Sequence, residues 1–108
     1  MNRAKVEVYN ILKDREPMSE DDGKKIYIEL EKAFKSNSQV LIDFTGIESL
    51  TTAVINNSIA KYVEDEGIDN VAKKIRISGI VDQNLKDIFN FSLSLAQRKY
   101  VTSKKNTI

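Results

Sequence analysis

The chain has 108 residues, of which 41% are hydrophobic and 31% charged, and its formal net charge is +1. It fits one small globular domain, with no general electrostatic attraction to nucleic acid. Cysteine and histidine are both missing, which excludes disulfides, thiolate and His-activated nucleophiles and the usual zinc and iron ligand sets, so no metal and no other cofactor is expected.

Lys5–Leu12, "KVEVYNIL", alternates Val6, Val8 and Asn10 with Glu7, Tyr9 and Ile11, and predicts a first strand over Val6–Asn10. A loop with the chain's one proline, Pro17, follows. Ser19 with three acids behind it suits a helix N-terminus, where carboxylates face the positive end of the dipole. Ile26, Leu30, Ala33 and Phe34 then recur at helical spacing as far as Lys35. Val40–Phe44, "VLIDF", is nearly continuous in apolar residues and predicts a central strand covered on both faces.

Helical spacing returns from Thr51 to Glu66, with Ile55, Ile59, Tyr62 and Val63 on one stripe, and Gly67 ends it. A third strand is expected over Ile75–Ser78. A third helix follows over Asp82–Gln97, with Asp82 as N-cap and Leu85, Ile88, Phe89, Ser92, Leu95 and Ala96 facing inward. Leu30, Phe34, Ile42, Ile59, Ile77 and Phe89 should share one core. A fourth strand, from a split first segment or from "KYVTS" at Lys99–Ser103, would widen the sheet.

This order predicts an α/β fold, a small β-α-β-α-β-α sandwich in which a mostly parallel sheet of three to five strands carries packed helices. The domain should occupy residues 1–97. Residues 98–108 read as a flexible basic C-terminal tail with Arg98, Lys99, Lys104 and Lys105. No apolar run approaches the roughly 20 residues that span a bilayer, and "MNRAKVEVYN" lacks a signal-peptide apolar region, so the expectation is a cytoplasmic protein without membrane contact.

"VLIDFTGIESLTTAVINN" resembles the central motif of STAS domains, the fold of bacterial anti-sigma-factor antagonists. In that family an apolar strand runs into Asp-Leu-Ser-Gly-Val, and Asp-Ser-Ser-Gly-Leu then opens a helix. Asp43, Phe44, Thr45, Gly46 and Ile47 match the first half. In the second half Thr51 stands at the family's aspartate, Thr52 at its first serine, and Ala53 at the second serine, the phosphoacceptor. The chain resembles still more closely a STAS-like family of short bacterial proteins of unknown function. "GKKIYIELEKA", "DFTGIESLTTAVINN" and "IRISGIVDQNLKDIF" fit it in order from about Asp22 to Gln97, with Val54 where that family often has phenylalanine. The resemblance implies a regulatory or adaptor module that acts by docking protein partners, often in genetic company with sensor-kinase-like ATPases, and implies no substrate.

The residues carry two readings at this motif. Asp43 is a turn acceptor for amides around Gly46 or a titrating group, and Gly46 supplies a positive φ or a close approach. Thr51 and Thr52 cap the second helix, worth about 1 kcal/mol, or rim a docking surface on which Thr52 is the candidate phosphoacceptor. Asn56 and Asn57, without a histidine or second acid near them, suit recognition by hydrogen bonds, so no catalytic residue is assigned and no enzyme activity is expected. Arg15 reads as an ordinary surface arginine, with an anion partner above this region as the alternative. The alternative function is a small-anion or nucleotide sensor at the same helix N-terminus, although no glycine-rich phosphate loop is present. Nucleic acid is not an expected partner, since only Tyr100 stands among the tail's cations. A homo-oligomer is compatible with the sequence.

Overall fold

The structure is a computed structural model that describes residues 3–105. Strands β1 (Arg3–Glu7), β2 (Gln39–Asp43) and β3 (Ile75–Ser78) form an all-parallel sheet in the order β1-β2-β3. The short helix α1 (Val8–Leu12) follows β1, and α2 (Glu20–Phe34) leads to β2. Three helices, α3 (Thr52–Asn56), α4 (Ile59–Glu66) and α5 (Ile68–Lys74), connect β2 to β3, and α6 (Gln83–Lys105) closes the chain's α/β fold. The apolar run at Val40 is central, as its composition predicts.

Helices cover only one face of this sheet, and the reason is topological. Strands that sit in sequence order and are joined by right-handed crossovers send every connecting helix to the same side. Val6, Val40, Ile42 and Ile75 point to that side and are buried. The opposite face carries one row of Lys5, Leu41 and Arg76 and a second row of Glu7, Asp43 and Ser78. Lys5, Glu7 and Arg76 are exposed there and Leu41 is half-buried, with no helix over them among the described residues. The expectation of cover on both faces is therefore corrected.

Further differences from the sequence reading also have physical causes. The first strand ends at Glu7 rather than Asn10, because its neighbour ends at the paired Asp43 and leaves Val8 nothing to join. The chain coils instead into α1, which closes on Lys13 at φ 54°. The expected helix over Thr51–Glu66 breaks at Asn57 and Ser58, whose side chains donate back to the Ala53 carbonyl (2.8 Å) and the Val54 carbonyl (2.7 Å). Such back-bonding competes with helix continuation. Past Gly67 the chain forms α5, and "KYVTS" is helical within α6 rather than a strand. The predicted flexible tail is thus helix as far as Lys105, and residues 106–108 lie outside the described residues.

At the front of α2, Ser19 and Asp22 form a reciprocal capping box, which sets the start of the helix. Leu30, Ile42, Ile59 and Phe89 are buried in one cluster, and Phe34 and Ile77 pack half-buried against it. Buried Tyr62 donates its hydroxyl to Glu31, and Lys74, paired with Glu66 at 2.6 Å, lies 4.8 Å from the Phe34 ring centre and 5.0 Å from that of Tyr62. These contacts tie α2, α4 and α5 together.

Candidate functional site

The carboxyl end of the sheet is organised around Asp43. Its Oδ1 accepts from the Thr45 amide (3.1 Å), the Thr45 hydroxyl (2.7 Å) and the Ser78 hydroxyl (3.1 Å), while Lys5 Nζ stands 3.6 Å from Oδ2. The hydroxyl of Thr45, followed by partial burial acting in the opposite sense and then the remaining donors and Lys5, leaves the carboxyl below its ordinary value. Asp43 therefore stays ionised near neutral pH and works as a fixed acceptor joining the ends of β2 and β3. The turn-stabilising role expected for it is the one its geometry fits.

Gly79 completes this junction at φ 82°. A Cβ there would collide with the Thr45 amide nitrogen and lie 2.7 Å from Asp43 Oδ1. The sequence reading missed both Ser78 and Gly79; "SGI" directly after an apolar strand was the available signal. Gly46 adopts φ 89°, as expected of it, and its carbonyl accepts from Arg15 Nη1 at 3.1 Å. Arg15 also accepts the Glu48 amide on its own carbonyl (2.7 Å) and stacks over Tyr9 at 4.8 Å. The loop after β2 is thus pinned to the segment before α2.

Thr51 occupies the N-cap position of α3, yet its hydroxyl makes no capping bond. It donates instead to the Met18 carbonyl at 2.7 Å, so it joins α3 to the start of α2. This corrects the capping role. Thr52 opens α3 half-buried, and its hydroxyl makes no hydrogen bond among the described residues. Asn56 accepts from the buried Ser92 hydroxyl on α6. Asn57 bonds within its own helix, and its Cβ approaches α2 so closely that a Cβ on Gly23 would lie 2.7 Å from it. Asn57 thereby serves helix packing rather than an open recognition surface.

Two large apolar side chains on the segments hydrogen-bonded to α3 stand in water. Met18, whose carbonyl holds Thr51, is 64% exposed; Phe91, the residue before the Ser92 that holds Asn56, is 58% exposed. Spacing alone did not single out either one. Among the described residues no group of three or more acidic side chains is placed to hold a metal, and no helix is long and apolar enough to cross a membrane.

The family model of STAS-like domains of unknown function, DUF4325, matches residues 22–85. The chain belongs to this family. No match to it is found among curated proteins or among solved structures. The matched part of the STAS-like domain runs from the capping Asp22 to Leu85, so it contains the Asp43 junction, Gly79 and α3. Arg15, Met18 and Phe91, which border the STAS-like motif in space or along the chain, lie outside the match.

Proposed function

We propose that this STAS-like domain is a non-enzymatic regulatory or adaptor module that docks a protein partner, such as a kinase-like ATPase, over α3 and the loop before it. The observation that carries this reading is the pair of exposed apolar side chains, Met18 and Phe91, on the two segments hydrogen-bonded to α3. Exposed apolar anchors beside polar groups suit a protein interface, where a few such residues carry most of the affinity. Asp43 supports a non-catalytic role, because a carboxylate held ionised by three donors is a poor proton carrier. The anion-sensor reading has less support, since α3 is only five residues long and Thr51 turns its hydroxyl toward Met18.

Thr52 is the residue at which such a surface would be switched. Its hydroxyl makes no hydrogen bond among the described residues, and a phosphate would add about −1.5 to −2 charges at the start of α3. The test begins with photo-crosslinking in the native cell from Ser49 and Thr52, with Lys99 as the distant control. The captured partner is then purified and titrated. Met18→Ala and Phe91→Ala should each weaken binding by about 10-fold or more with melting temperature unchanged, and Thr52→Glu should abolish it while Thr52→Ala does not. A partner indifferent to all of these variants would defeat the reading.

A further inference from the structure

The two edges of the sheet are built differently. Beside β1 runs a groove lined by Lys5, Glu7, Asn10 and Glu29, the kind of charged border that discourages another strand from pairing. Beside β3 lies an apolar pocket of about 150 Å³ lined by Ile68, Ala72, Ile75, Ile77, Phe89 and Leu93, and towards the strand's carboxyl end a more polar groove lined by Ser78, Lys86 and Asn90, which carries no acidic side chain. No further strand neighbours β3 among the described residues. The Ser78 carbonyl accepts the Phe44 amide at 2.8 Å, so Ser78 and, by alternation, Arg76 turn their main-chain groups toward β2. Ile75 and Ile77 turn theirs outward; the Ile75 amide is taken by the Val71 carbonyl, and the Ile77 groups face the open edge.

We infer that β3 is the seam of a homodimer, pairing antiparallel with β3 of a second copy so that the two Ile77 residues lie opposite each other about a two-fold axis. Opposed Ile77 residues exchange two main-chain hydrogen bonds, because both present their amide and carbonyl to the seam. Their side chains lie on the helical face, against the mouth of the apolar pocket. On the open face the same register sets Arg76 opposite Ser78 of the second copy. The acidic row of Glu7, Asp43 and Ser78 then continues into the Arg76, Leu41 and Lys5 of the other molecule. Arg76 is exposed and makes no ion pair among the described residues, and in the dimer it reaches toward the carboxylate of Asp43 across Ser78.

The neighbouring register, centred on Arg76, would set two arginines face to face, which is unfavourable for directly opposed strand residues. Charge therefore selects between registers that hydrogen bonding alone allows. A two-fold pairing also closes, whereas a parallel, head-to-tail addition at this edge would propagate. The seam is short, so the dimer should be concentration-dependent rather than obligate. The inference shares only Asp43 and its partner Ser78 with the candidate site and none of the residues whose variants test the docking reading, so its failure would leave that reading untouched.

The absence of cysteine makes the test clean. Sedimentation velocity over a concentration series should show a monomer–dimer equilibrium. Arg76→Glu, an exposed change that spares the fold, should raise the dissociation constant by about 10-fold or more at low salt, with the difference shrinking as salt is added. In a hydrogen-bonded antiparallel pair the Cα atoms are about 5.5 Å apart, within disulfide range, so Ile77→Cys should crosslink to itself under mild oxidation while Arg76→Cys should not. Circular dichroism establishes that each variant is folded. A chain that stays monomeric overturns the inference. So does a dimer indifferent to Arg76→Glu, self-crosslinking at position 76 instead of 77, or an edge that takes an extended segment of another protein while the chain alone remains single.

Discussion

Ile42 and Leu41 are neighbours on β2 and nearly equal in size and polarity, yet Ile42 is fully buried while Leu41 stands half-exposed between Lys5 and Arg76. The helical face behind Ile42 is a packed interior. The face that holds Leu41 is a row of long charged side chains with one apolar residue in the middle. A central strand in a parallel sheet usually reads as apolar throughout because both faces are covered. Here the strand order leaves one face bare, so apolar composition on its own did not settle which side each residue serves.

The largest effect should come from the covered face. Ile42→Ala is expected to lower unfolding free energy by about 2–5 kcal/mol, measured by denaturant titration. A loss no greater than that of a Leu41 variant would erase the contrast between the faces. Next comes Gly79→Ala, where left-handed strain and a collision at Thr45 should cost at least about 2 kcal/mol in the same experiment. If Gly79→Ala proves neutral, the Asp43 junction is looser than its hydrogen bonds indicate.

Asp43 sharpens the comparison, because it belongs to the open face yet is fixed by three donors. Its folded pKa lies below the ordinary value of 3.8, so the unfolded chain binds the proton more readily. The stabilisation is present above that value and is lost as pH falls through the folded pKa. Wild type should therefore lose stability in this acid range, and Asp43→Asn should show a shallower acid dependence when melting temperature is followed against pH. A smaller effect belongs to Leu41→Ser, expected to change stability by less than about 1 kcal/mol.

Thr51 and Thr52 offer a parallel contrast within one turn. Removing the Thr51 hydroxyl deletes its bond to the Met18 carbonyl and should cost about 1 kcal/mol, whereas Thr52→Ala should be close to neutral in thermal melts.

Those parts of the fold governed by neighbouring residues were legible in the sequence. Ser19 with its acids marked the start of α2, Asp82 accepts the Leu85 amide at the front of α6, and the stripe of Ile55, Ile59, Tyr62 and Val63 is buried even though its helix is broken. Part of what escaped depends on residues far away in the chain. Val8 looks like strand, and only the end of its partner at Asp43 turns it helical. Helix α5 was hidden because Gly67 reads as a stop, although Ile68, Val71 and Ile75 keep helical spacing beyond it. At the site, Asp43 and Gly46 were recognisable from the loop itself, whereas Ser78, Met18 and Phe91 come to it from other elements.

The parallel sheet also bears on how quickly the molecule can form. Most described residues are helical, which by itself would suggest a fast folder, yet no strand meets a neighbour nearby: Ser78 and Asp43, bonded across the sheet, are 35 positions apart, and Asn56 and Ser92 are 36 apart. Each of these contacts must close a long loop before it returns any stabilisation, and such non-local topology slows barrier crossing even when local helices form within a microsecond or so. The helices can flicker into place early, but the sheet sets the rate at which this protein folds.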